Sequence, residues 1–123
     1  MIKHITEKRV NSCLDTIGSI CASPALDQFL IGFTSLSAAK KGDGYRGIKF
    51  EHLVLLADQM TCDAAVLLET RLQKEILYGQ SKQLKKICRK YHEEKKNHGG
   101  IFAGTGGRPH KGPCSVYMVW WDR

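Results

Sequence analysis

A chain of 123 residues with 42% hydrophobic content and a formal charge of +7 is the size of one domain, residues 1–123, with apolar material for a core that needs no disulfide or metal support. No apolar run is long enough to cross a bilayer, and the opening Met1–Ile5 stretch leads into charged sequence and not into the apolar segment of a secretory leader, so cytoplasmic residence and no membrane partner are expected. The five cysteines are scattered, odd in number and contain no C-x-x-C, which suits free thiols in a reducing compartment.

Thr6–Asp15 is charged with sparse apolar positions and fits either a short helix or an irregular lead-in. Thr16–Cys21 (TIGSIC) alternates weakly and reads as a strand that Ser23-Pro24 breaks. Gln28–Phe33 is an apolar run of β-formers between turn residues, hence a strand. Ser35–Lys41 has room for little more than one helical turn before Gly42-Asp43-Gly44. Phe50–Ala57 (FEHLVLLA) is the clearest strand, and its unbroken apolar stretch predicts burial on both faces at the centre of a sheet. A helix follows, capped by Thr61, with Asp63 in its first turn, a stripe of Ala64, Ala65, Leu68, Leu72 and Ile76, and Gly79 at its end. The spacing of Leu84, Ile87, Cys88 and Tyr91 predicts another helix over Lys82–Lys96. After a glycine-rich loop, Ser115–Trp121 (SVYMVWW) reads as a closing strand. The expected architecture is a small α/β (α+β) domain with a mixed sheet of three to four strands flanked by helices.

Charge is uneven along this order. Between Lys82 and Lys111 stand nine Lys or Arg against two acids, while the rest of the chain balances. Lys85, Lys86, Arg89, Lys90, Arg108 and Lys111 belong to this cluster, and Lys40 and Lys41 lie earlier. A localised basic face is the footprint of a phosphate-backbone binder; the plainer alternative is a solvated lysine-rich helix.

Four features bear on chemistry. Glu69 flanks the apolar stripe of its helix, where a carboxylate must be paired or hold a metal, unless its head reaches water, Arg71 or Gln73. Tyr45-Arg46, among Lys40, Lys41 and Lys49, suits phosphate binding: the guanidinium grips two oxygens and the phenol positions a nucleophile. Cys88, His92, His110 and Cys114 offer a Cys₂His₂ set, but Cys88 is already explained by the apolar seam and three-residue gaps on the Cys side suit zinc poorly, so zinc is not expected. The glycine loop GGIFAGTGG lacks the Lys-Ser/Thr of a phosphate-binding P-loop and leads into a strand.

Taken in order, Leu30-Ile31-Gly32 with Thr34, then Arg46, the strand EHLVLLA and the helix with A-x-x-L-L-E-x-x-L from Ala65 resemble the GIY-YIG nuclease family over about residues 16–78. By that resemblance the chain is a metal-dependent endonuclease, DNA being the favoured substrate. Glu69 would hold one Mg²⁺ or Mn²⁺, Arg46 would stabilise the pentavalent phosphate, and an activated water would attack in line. Residues 82–121 would be a peripheral extension. Both family tyrosines are missing: the first motif falls on Ile17–Cys21, and Leu30 stands in the second. Tyr45, Lys40 or Lys41 would have to substitute, and Asn97 would supply the late asparagine. A nucleic-acid-binding module of the same fold that no longer cuts, and a zinc-stabilised adaptor for an acidic protein, are the alternatives.

Overall fold

The computed structural model describes residues 1–34, 51–92 and 113–123. Its elements are α1 (Glu7–Cys21), β1 (Leu26–Thr34), β2 (His52–Met60), α2 (Cys62–Tyr78), α3 (Lys82–Lys90) and β3 (Cys114–Asp122). The small α+β class is as expected. The three strands run in the order β1-β3-β2, and both neighbouring pairs are antiparallel where a mixed sheet was expected.

The first expected strand is a helix. The Thr6 hydroxyl accepts from Arg9 N–H at 3.1 Å and starts α1, and Val10, Cys13, Ile17 and Cys21 recur at helical spacing along its buried side. That stripe crosses the boundary between the two segments read separately in the sequence, and neither half shows the period alone. A Cβ at Gly18 would stand 2.6 Å from Gln83 Nε2, the far end of a flexible side chain on α3.

The centre of the sheet is β3, not β2. Val116, Tyr117, Met118 and Val119 are all fully buried, whereas Leu55 of β2 is exposed. The described part of the apolar run Phe50–Ala57, from His52 to Ala57, therefore lies in an edge strand of the described sheet, and the closing segment is no peripheral extension. A core of residues 16–78 alone would lack the strand that joins β1 to β2.

One hydrophobic cluster gathers Val10, Cys13 and Ile17 of α1, Leu68, Leu72 and Ile76 of α2, Ile87 of α3, and Phe29, Ile31, Val116 and Met118 of the sheet. All three helices thus cover one face. Leu30, Tyr117 and Val119 are buried on the other. Gly32 lies opposite Tyr117 in register, and a Cβ on it would meet Tyr117 Oη and stand 2.6 Å from Cζ. Glycine is needed here because the Tyr117 ring occupies its side-chain space.

α2 begins on Thr61, whose hydroxyl accepts from Ala64 N–H at 3.2 Å, and its stripe is buried as expected. α3 stops at Lys90, short of Lys96. Tyr91 leaves the helix in extended conformation, its ring packs edge-on against Phe29 at 5.1 Å, and His92 N–H donates to the Phe29 carbonyl at 2.7 Å. The contact with β1 ends this helix, and no Gly or Pro marks it.

Candidate functional site

Around α3, Leu84, Ile87 and Cys88 face inward, and Lys82, Lys85, Lys86 and Arg89 occupy the opposite arc. All four cations are exposed and none is in an ion pair among the described residues. Toward α1 this arc borders a groove of about 680 Å³, lined by the α1 C-terminal turn, the start of β1 and Arg123. Lys86, Arg89, Lys90 and Arg123 contribute four cationic side chains to its wall, against the single carboxylate of Asp27.

Lys90 differs from its neighbours. Its ammonium donates to the Cys21 carbonyl at 2.9 Å and to the Ser23 carbonyl at 3.0 Å, closing the end of α1, which has no basic residue of its own in its last turn. It is a structural cap. Burial pushes the Cys21 thiol up to about 12, with Lys90 opposing, so the groove offers no thiolate nucleophile. What remains suits an anion: exposed cations on a helix face, beside a cation-lined groove.

Glu69 is 3% exposed, on the core-facing side of α2. Arg71 makes a bidentate pair with Glu7, both bonds 2.7 Å, and a third bond to Glu75 at 3.1 Å. Gln73 donates to the Ile31 carbonyl at 3.2 Å, and its own Oε1 is buried without a hydrogen-bond partner among the described residues. Mg²⁺ keeps several waters and takes oxygen ligands in octahedral array. Among the described residues Glu69 belongs to no group of three metal-ligating side chains. Leu30 and Gly32 face away from α2, so the sheet stands between them and Glu69.

Tyr45, Arg46, Lys40, Lys41, Arg108, Lys111, His110 and Asn97 lie outside the described residues. The zinc set is not assembled: Cys88 is on α3, His92 lies beyond its end against Trp121, and Cys114 begins β3 in register with Met60, at the other end of the sheet. Two groupings escaped the sequence reading. Glu51, His52 and Asp122 bring their ligand atoms within 4.8 Å of one another, with His52 Nε2 3.0 Å from Asp122 Oδ2 and the His52 ring stacked on Trp120. Cys62 and Cys114 place their sulfurs 2.7 Å apart. Both join residues far apart in the chain, and only the β2–β3 register could have revealed them.

Fold and surface together define a small α+β domain with a cation-lined groove along a short helix. Comparison of the chain with family models, curated proteins and solved structures finds no match. Among the described residues no helix is long and apolar enough to cross a membrane.

Proposed function

We propose that this chain is a nucleic-acid-binding module that grips the phosphate backbone through the exposed arc of α3 and the adjoining groove. The observation that carries the reading is the division of labour on α3: Lys90 is spent on capping α1, while Lys82, Lys85, Lys86 and Arg89 project from one side with no protein partner among the described residues. Four unpaired cations on about 13 Å of helix repel one another and are stabilised by a polyanion laid across them. Duplex DNA is the ligand to test first.

The test is fluorescence anisotropy with a labelled duplex of about 20 base pairs at roughly 0.1 M salt, where sequence-independent binding is expected at micromolar strength. Lys82→Glu/Lys86→Glu/Arg89→Glu should weaken binding at least tenfold without lowering the melting temperature. Undiminished affinity in that variant contradicts the reading, and preferential binding of an acidic protein over DNA replaces it with the adaptor reading.

A second reading, the endonuclease, has one observation in its favour: a carboxylate almost completely buried on the core-facing side of α2. Plasmid nicking in Mg²⁺ or Mn²⁺ that disappears in both Glu69→Gln and Arg46→Ala supports it. Equal nicking by all three proteins, or none by the wild type, removes it.

A further inference from the structure

We propose that Cys62 and Cys114 form a reversible disulfide, and that this pair is a site of modification by small-molecule disulfides of the oxidised-glutathione class. The two sulfurs stand 2.7 Å apart, closer than non-bonded sulfur atoms rest, and a further approach of about 0.7 Å reaches the length of an S–S bond. Both sit on held backbone. Cys62 is the first residue of α2, directly after Thr61, whose N–H donates to the Ile2 carbonyl at 2.8 Å and whose hydroxyl caps the helix. Cys114 is the first residue of β3 and is registered on Met60 of β2. Closure therefore calls for side-chain rotation, with no rearrangement of the fold.

Exposure sets the order of events. Cys62 is partly exposed, at the first residue of α2, where an external disulfide can reach its sulfur. Cys114 is fully buried, and burial above all, followed by its contact with Cys62, pushes its thiol up to about 12. Cys62 attacks the external disulfide, forming a mixed disulfide and releasing one thiolate. The Cys114 sulfur then attacks Cys62 Sγ, its proton passing to the second departing thiolate. Two protein thiols lose two electrons and two protons in all, and one disulfide becomes two thiols. The remaining cysteines have no such partner: Cys13 donates to the Leu56 carbonyl at 3.7 Å, Cys21 lines the groove, and Cys88 lies on α3. The bond would enclose α2, α3 and the whole basic stretch from Lys82 to Lys111 in one covalent loop, a consequence independent of what that stretch binds.

The experiment equilibrates the folded chain in graded ratios of oxidised to reduced glutathione, alkylates free thiols after unfolding, and maps the peptides without reduction. The expected result is a mass lower by two hydrogens, three alkylated cysteines of the five, a linked peptide holding Cys62 and Cys114, and a melting temperature raised by roughly 5–15 °C that dithiothreitol reverses. Cys62→Ala, at the partly exposed member, should abolish the link and the shift, while Cys88→Ala should leave both. Five alkylated cysteines, a lasting mixed disulfide on Cys62, or a link between any other pair overturns the proposal.

Discussion

Gly32→Ala tests the packing that positions β1 against β3. The added Cβ would stand 2.6 Å from Tyr117 Cζ and 3.1 Å from Cε1, and nearer still to Oη, where carbon contacts settle at about 3.5–4.0 Å. Something must move by about 1 Å. The ring cannot yield easily, because Tyr117 is fully buried and its strand is paired on both sides. Overpacking of this kind costs about 1–3 kcal/mol, and taking about 2 kcal/mol the melting temperature should fall by roughly 6–10 °C. Tyr117→Phe removes Oη but leaves Cζ in place, so Gly32→Ala/Tyr117→Phe should recover only part of the loss. Gly32→Ala in a Tyr117→Leu background should cost little, giving a coupling energy of about 1–2 kcal/mol in a double-mutant cycle by urea denaturation. A Gly32→Ala melting temperature within 2 °C of wild type, or strictly additive double variants, would refute the account of why glycine stands there.

Gln59 has φ of 54°, the left-handed region, at the irregular end of β2, so Gln59→Gly should raise stability by about 0.5–1 kcal/mol in urea. Lys90→Ala should destabilise by about 1 kcal/mol through loss of the α1 cap, while Lys86→Ala should stay within about 0.5 kcal/mol of wild type and weaken DNA binding instead. The Arg71 hydrogen bonds hold Glu7 below the usual carboxylate range, and the Ser115 hydroxyl, then the Gln59 N–H, do the same for Asp58. A depressed folded value contributes stability above the unfolded carboxylate range that is lost as pH falls through the folded one. Urea midpoints should therefore drop below about pH 4, and less steeply in Glu7→Gln/Asp58→Asn.

Elements whose signals are local were legible in the sequence. α2 announces itself by the Thr61 cap, a five-residue stripe and Gly79, and β1 and β3 by their β-branched and aromatic runs. α1 was not legible, because Val10, Cys13, Ile17 and Cys21 show their period only when both halves of the segment are taken together. Nor does an apolar run say which strand is central: β3, last in the chain, inserts between β1 and β2 and takes the centre. The site divides the same way. The basic cluster is a matter of composition and can be counted, but its groove joins the end of α1, α3 and Arg123 and exists only after folding. Lys90 looks like any other lysine of the cluster until its contacts with Cys21 and Ser23 are seen. Glu69, placed at the flank of its stripe, is carried fully inward by α2 packing on β1.

The salt dependence of DNA binding tests the central claim most directly. Each phosphate neutralised contributes about −0.9 to the slope of log K against log salt, so contacts from Lys82, Lys85, Lys86 and Arg89 give an expected slope of about −3 to −4. Lys86→Gln/Arg89→Gln should bring it to about −2, and Lys90→Gln should leave it unchanged. A wild-type slope near zero, or one that the Lys86/Arg89 pair does not alter, would contradict the claim that α3 binds a phosphate backbone.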